Sequence, residues 1–303
     1  MTLAILNIDW QTLVDAVGLG SVYALMAVGI GLVFGVLRLV NFAYGQLVMA
    51  GAFALALASQ WGWPVWAGIL LCFAVVVALS LLMDRLVFRP LRRHSPAVML
   101  VATFAVAFLL QSIALLWFGA LGKIATSLAF LNRPWTISGV DIRKVSIVAT
   151  ATAALALVAL VLLLSRTNVG LHMRAAAMDF ATARMLGVRA NRVIAMAVLV
   201  SGLLAAIVAV MLTVQTPLVT PDFALRDTIL VLAGVVLGGM NRLVPATLGG
   251  FAIGFASGLL GGALPTDKSQ YLPSFLFAAV ILVLLLRPGG LFTREGQRSF
   301  ERV

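Results

Sequence analysis

The side chains that carry out most protein chemistry are scarce in this sequence. Among 303 residues there are two histidines, one cysteine and ten acidic residues. His94 and His172 have no histidine, cysteine or carboxylate at metal-ligand spacing, and a lone Cys72 excludes a disulfide or a cysteine metal site within one chain. A phosphate-binding loop of the form G-x-x-x-x-G-K-[ST] is also absent. We therefore predict no catalytic residue, no metal site, no cofactor in this chain and no enzymatic activity.

Neutral polar side chains do enter the apolar parts of the sequence. Such groups either hydrogen-bond a polar solute in passing or bond to neighbouring helices. The cluster from Asn41 to Gly45 is the best candidate for the first role. This cluster comes shortly after Arg38 and contains an amide, an aromatic ring and a flexible glycine. Such a composition is typical of an interrupted helix that lines a solute pathway. The candidate pathway residues are Asn41, Tyr44, Gln46, Gln111 and Gln215.

Charged side chains avoid the middle of the apolar stretches. Ionisable groups inside a membrane usually mark a functional site, yet the aspartates that border these stretches fall at predicted helix ends: Asp84, Asp222, Asp227 and Asp267. A transporter that lacks a group to bind a coupling ion must take its energy from a partner. The competing interpretation is a self-contained secondary carrier or channel, and the shortage of such groups argues against it.

Long apolar helices must position these residues. The chain is 63% hydrophobic and 10% charged, against about 25% charged in soluble domains. Stretches without a charged residue recur along it, and each crossing of a bilayer takes about 20 such residues. We predict an all-α polytopic membrane protein with about nine transmembrane helices, eight to ten being plausible, and a single domain over the whole chain. Trp61–Pro64 is a predicted turn, and Thr228–Met240 is at or below the length of a span.

Basic residues set the predicted orientation. A net charge of +11 is typical of nucleic-acid binders. Here, however, the arginines lie in short segments between spans, as the positive-inside rule describes for membrane proteins. We therefore predict no nucleic-acid partner. This rule places the N-terminus outside and the C-terminus in the cytoplasm. The segments 84–94 and 166–192 and the tail from Arg287 are then cytoplasmic, and the loop from Lys123 to Lys144 is an exception.

Glycine spacing predicts close helix packing. Helices in lipid associate through small residues that let their backbones approach. Four glycines recur at intervals of four residues and therefore share one helix face: Gly250, Gly254, Gly258 and Gly262. This strip predicts a compact helix bundle and carries no information about the substrate.

The polar segment 166–192 contains a predicted helix outside the membrane. Its residues from Met173 to Leu186 are good helix formers, and Gly187 is a typical helix stop. An isolated helix of this length is marginal in water, so it must dock on something. The membrane surface and a groove in a partner protein are equally consistent with the pattern.

Several passages resemble one transporter family over nearly the whole chain, in order and spacing. They are G-L-G-S-V-Y-A-L-M-A-V-G (18–29), F-G-V-L-R-L-V-N-F-A-Y-G-Q (34–46), M-R-A-A-A-M-D (173–179), M-L-G-V (185–188), V-L-G-G (236–239) and R-P-G-G-L-F (287–292). In these the sequence resembles the LivH-type permease subunits of ATP-binding-cassette importers for branched-chain amino acids, proteins of the bacterial inner membrane.

The resemblance implies a multisubunit machine with an importer permease bundle. The partners would be a homologous, LivM-like permease, two ATPase subunits that bind the ATP, and a periplasmic solute-binding protein. The segment 166–192 would hold the coupling helix, seated in a cleft of the ATPase, with the contact residues Met173, Arg174, Asp179, Phe180, Leu186 and Gly187. One departure bears on the substrate: Tyr44 stands where the family usually has histidine, and related permeases carry urea or short amides.

Overall fold

The computed structural model describes residues 10–37, 41–91, 94–132, 134–137, 140–178, 180–185, 188–240, 243–265 and 269–287. Over these residues the protein is a bundle of helices with two short strand pairs. The helices are α1 Trp10–Leu37, α2 Tyr44–Gln60, α3 Val65–Met83, α4 Arg89–Leu91, α5 Pro96–Phe118, α6 Lys144–Arg166, α7 Asn168–Met178, α8 Phe180–Met185, α9 Ala190–Gln215, α10 Leu225–Gly238, α11 Leu243–Ala263 and α12 Leu272–Leu286.

The four strands lie at one end of the bundle. They are β1 Lys123–Ile124, β2 Pro134–Ile137, β3 Val140–Arg143 and β4 Leu218–Val219. β1 pairs antiparallel with β4, and β2 forms a hairpin with β3. We call this the strand end, where α1 and α6 begin and where α2, α5, α9 and α11 finish. The opposite end carries α7 and α8, and we call it the loop end.

Six described helices are long and apolar enough to cross a membrane: α1, α3 with the π-helical turn and α4 that follow it, α5, α6, α9 and α11. Three apolar helices are shorter, with 17 residues in α2, 14 in α10 and 15 in α12. Together they match the prediction of about nine membrane helices. The Trp61–Pro64 turn is confirmed between α2 and α3, where Gly62 has a φ of 69°.

Helix α1 is the centre of the bundle. Most of its residues are buried, and it contacts helices on several sides: Gly18 lies against Ser146 of α6, and the Ser201 hydroxyl of α9 donates to the Gly29 carbonyl at 2.7 Å. The side chains around it are mainly aliphatic.

The glycine strip of α11 lies directly on α1. A Cβ at Gly254 would stand 2.8 Å from both the Cα of Gly20 and the Cβ of Tyr23, and one at Gly258 would meet the backbone of Ala16. Gly250 and Gly262 meet α1 in the same way, at Ala27 and Thr12. We call this contact the glycine seam. It holds two antiparallel helices at a separation that larger residues do not allow.

Candidate functional site

Two short helices begin inside the bundle and run away from each other. Gly45 in the first turn of α2 lies against Thr228 and the carbonyl of Ala224, at the start of α10. From this point α2 runs to the strand end, whereas α10 runs to the loop end, where Gly238 lies against Pro245 of α11. Fourteen residues make α10 about 21 Å long, which is less than a membrane crossing. We call the meeting point of the two helix starts the junction.

Nonhelical backbone leads into both helix starts. Asn41 precedes α2, and its side-chain oxygen accepts a hydrogen bond from the Ala43 N–H at 3.1 Å. The Phe42 N–H donates to the Thr103 hydroxyl of α5 at 3.4 Å. On the other side, the chain leaves α9 at Gln215 and passes through β4 and a turn before α10 begins. Interrupted helices of this kind place free backbone groups at the bundle interior, where transporters commonly have their sites.

A carboxylate lies half-buried at the junction. The Tyr23 hydroxyl, near the middle of α1, donates to Oδ1 of Asp227 at 2.6 Å. The sequence placed Asp227 correctly at a helix end, but that end lies inside the bundle because α10 begins there. The expectation that no acidic group lies in mid-span is therefore wrong for Asp227. Its position in the first turn of α10 is favourable for a negative charge because it faces the positive end of the helix dipole.

Helical spacing assigns two predicted pathway residues to the facing sides of α2 and α5. The rings of Phe53 and Phe118 stack with centroids 4.2 Å apart, so these parallel helices touch there. Gln46 and Gln111 lie seven residues before Phe53 and Phe118, respectively. Seven residues are about two helical turns, so each glutamine is on the same helix face as its phenylalanine. A second stack closes the other side, between Phe42 and Phe104 at 3.9 Å. We call Gln46 and Gln111 the glutamine pair.

The polar atoms of this region are incompletely satisfied. Gln46 and Tyr44 are almost fully buried, and within the described part of the chain neither the Gln46 Oε1 nor the Tyr44 hydroxyl has a hydrogen-bond partner. The Tyr44 hydroxyl instead lies against Gly29 of α1. Native proteins pair nearly all buried polar atoms, so an unpaired one calls for an explanation such as a site for water or solute.

Gln215 lies apart from the other pathway candidates. It lines a cavity of about 590 Å³ at the strand end, between the starts of α1 and α6 and the ends of α9 and α11. In this cavity Asp15 accepts hydrogen bonds from Arg143, whose Nε lies at 3.0 Å, and from the Ser146 hydroxyl. No sequence pattern predicts this ion pair, because its two residues are far apart along the chain.

In the segment 166–192 the structure describes helix as α7 and α8, on either side of residue 179, which lies outside the described residues. The helix begins at Asn168, earlier than the predicted start at Met173. Gly170 lies directly on the backbone of α6, at Leu163 and Leu164. Of the predicted contact residues, Met173 is 2% exposed and packs into the bundle, whereas Arg174 is exposed. Phe180 begins α8, and three of the predicted contact residues lie outside the described residues: Asp179, Leu186 and Gly187. Met178, 86% exposed, is a surface residue that the prediction did not include.

Known proteins resemble the chain over most of its length. The model of a family described as the permease component of branched-chain amino acid transport systems matches residues 12–285. The permease protein BraD of a high-affinity branched-chain amino acid transport system from Pseudomonas aeruginosa is 31% identical, over 94% of this chain and 95% of its own. The corresponding protein LivH of Escherichia coli is 28% identical over the same shares of the two chains.

A solved structure shows the same fold. It is a metal-chelate type ABC transporter in an inward-facing conformation, with a TM-score of 0.54 and 18% identity, covering 93% of this chain and 89% of that one. The predicted importer permease bundle is therefore confirmed. The broken helices, the polar junction and the protruding α7 thus lie in a bundle of known transporter architecture, and the chain belongs to the family of branched-chain amino acid transport permeases.

Proposed function

We propose that this chain is the permease subunit of an ATP-driven importer for branched-chain or related amino acids in a bacterial inner membrane. A homologous, LivM-like permease would complete the membrane part, two ATPase subunits would bind and hydrolyse the ATP, and a periplasmic binding protein would deliver the solute. Its orientation in the membrane would be the one that the positive-inside rule predicts. The N-terminus and the strand end would lie outside, and the C-terminus and the loop end in the cytoplasm.

The observation that carries this proposal is the attachment of α7. Gly170 and Met173 fix the helix to the bundle, while Arg174 and Met178 face outward at the loop end. A partner that grips the outward side therefore moves the bundle with it, because packed helices shift as rigid bodies. The junction and the glutamine pair lie between this end and the strand-end cavity, along the direction in which a solute crosses.

The glutamine pair suits a small polar solute. Neutral amides donate and accept hydrogen bonds without holding a charge, so a zwitterion can pass them without being trapped. Branched side chains would meet the apolar rings of the two phenylalanine stacks. Urea and short amides remain the alternative substrates of the same machine, since they use the same hydrogen-bonding groups.

The experiment is uptake into vesicles. Membranes that contain the chain, the second permease and the ATPase should accumulate radiolabelled leucine only with ATP and the binding protein. Uptake of urea or acetamide, measured in the same vesicles, separates the two substrate classes. The variant Met178→Glu should insert and remain folded, because its side chain is exposed, but should lose most ATP-driven uptake. Normal uptake by that variant would contradict the role of α7.

A secondary carrier is the second candidate, and Asp227 is the observation in its favour. A half-buried carboxylate inside a membrane bundle is able to exchange a proton with a solute pathway. Vesicles that hold this chain alone, with an imposed proton gradient, test this function. Gradient-driven uptake that Asp227→Asn abolishes would establish the carrier and overturn the ATP-driven importer.

A further inference from the structure

A second cavity lies at the loop end, between α7 and the start of α9. It measures about 500 Å³ and has a basic side formed by Arg189 and Arg192, with His172 and Asn168 beside them. None of the described residues that line it is acidic. Neither arginine pairs with a carboxylate among the described residues. We call it the basic cavity, and its chemistry fits an anion with several acceptor oxygens.

The other side of the basic cavity is apolar. Val193 and Met196 line it, and Arg192 is the last charged residue before the uncharged stretch of α9. This places the cavity where the bundle passes from water to hydrocarbon. A free anion would contact only the basic side of the cavity, whereas an amphipathic molecule would contact both the basic side and the apolar side.

An outward-facing stripe continues from this wall along α9. Met196 is followed at helical spacing by Leu199, Leu203 and Ile207. Leu203 is 36% exposed, and the other three are half-buried. Neighbouring positions on α9, such as Val200 and Leu204, are buried. The stripe therefore runs from the cavity along the bundle surface, and it has the length and polarity to hold an acyl chain.

We propose that the basic cavity binds the phosphate of an anionic phospholipid, with one acyl chain lying along the α9 stripe. The guanidinium groups bind the phosphate oxygens, and the His172 and Asn168 side chains complete the polar side. Because the cavity is shared by α7 and α9, a bound lipid joins the protruding helix to a membrane-spanning one. A partner protein is the weaker interpretation, because an acidic protein surface in water would leave the stripe uncovered.

Lipid binding to the purified full chain in a neutral detergent tests this proposal. Phosphatidylglycerol and phosphatidylcholine are titrated in turn, and bound lipid is counted by native mass spectrometry. Each arginine near a membrane surface contributes about fivefold to the affinity for an anionic lipid, so we expect about a 25-fold preference for phosphatidylglycerol from the two. Arg189→Gln and Arg192→Gln should each reduce this preference about fivefold, and the double variant should abolish it.

The control variant removes two arginines of the same end that lie outside the cavity. Arg85 and Arg287 are both exposed, and R85Q/R287Q should keep the preference. An equal loss in the control would show that total charge matters rather than this site, and would overturn the proposal. Retention of the preference in R189Q/R192Q would overturn it as well.

Two further measurements separate a lipid from a free phosphate and guard against misfolding. Inorganic phosphate at millimolar concentration should neither compete with phosphatidylglycerol nor raise the thermal stability of the chain. Competition would mean that the site takes a free anion, against the proposal. Leu203→Asn leaves both arginines in place and should weaken phosphatidylglycerol binding through the stripe alone. Unchanged binding by this variant would contradict the acyl-chain position.

Discussion

The glycine seam and the junction are both buried contacts within the helix bundle, yet they are built in opposite ways. At the seam, α11 meets α1 through backbone and small side chains, as at Gly254 and Gly20, with little polar involvement. At the junction, helices start in mid-bundle and the half-buried Asp227 accepts a hydrogen bond from Tyr23. Tyr44 and Gln46 there have polar atoms without a partner among the described residues. The seam therefore has the features of a rigid packing contact, whereas the junction has those of a functional site.

The largest effect is expected from filling the seam. In Gly254→Leu the new side chain meets the backbone of α1, whose Gly20 Cα lies 2.8 Å from the position of the added Cβ. Overpacking of this kind should cost about 3 kcal/mol or more of folding free energy. Gly35→Leu is the matched control, since no atom of the described residues outside the adjoining helix backbone lies within 4 Å of its added Cβ. Thermal unfolding in one detergent compares them, and equal losses would contradict a tight seam.

The next effect is the loss of a polar partner at the junction. Tyr23→Phe removes the hydroxyl that donates to Asp227 at 2.6 Å and leaves the half-buried carboxylate without that donor. Loss of a hydrogen bond to a charged group costs about 2 kcal/mol. Asp227→Asn keeps an acceptor oxygen for Tyr23 and should cost less. In the double variant the two costs should not add, and strict additivity would show that the two groups do not interact.

The seam and the junction also differ in how far the sequence predicts them. The intervals of four from Gly250 to Gly262 identified one helix face without any knowledge of its partner. The nine apolar helices were equally visible, because each hydrophobic stretch is local. The position of Asp227 was not, since a helix end looks the same in sequence whether it lies at the membrane surface or inside the bundle.

The pathway candidates show the same limit. Asn41, Tyr44 and Gln46 are recognisable as a group because they lie close together in the sequence. Gln111 can be assigned to the same site only from the structure: it lies seven residues before Phe118, and Phe118 stacks on Phe53, which lies seven residues after Gln46. Gln215 was grouped with them because of its type, but it lines the strand-end cavity instead. The pairing of Asp15 with Arg143 had no sequence signal, because only tertiary structure joins α1 to the start of α6.

A third prediction separates stability from transport. Gln46→Leu removes a buried amide whose oxygen has no partner within the described residues. We expect the folding free energy to stay within about 0.5 kcal/mol, while ATP-driven uptake falls about tenfold if the amide meets the solute. Ser112→Ala, beside Gln111 on the exposed side of α5, should change neither quantity. Normal uptake by Gln46→Leu would remove the glutamine pair from the pathway.

The smallest effect is expected from a second tyrosine. Tyr44→Phe is the same chemical change as Tyr23→Phe, in the same bundle and at a site that is also buried. The difference is the partner: the Tyr23 hydroxyl bonds to Asp227, whereas the Tyr44 hydroxyl has no partner in the part of the chain that the structure describes. Removing an unsatisfied hydroxyl should leave stability unchanged or raise it by about 0.5 kcal/mol.

The two tyrosine variants therefore form a matched pair, with an expected difference of about 2 kcal/mol between identical substitutions. Thermal or denaturant unfolding of both proteins in the same detergent measures that difference directly. A similar loss in both would mean that the Tyr44 hydroxyl does have a partner, such as bound water, and that the junction is as well satisfied as a structural core. Stability that is lost only at Tyr23 would leave the Tyr44 hydroxyl free to bond a passing solute.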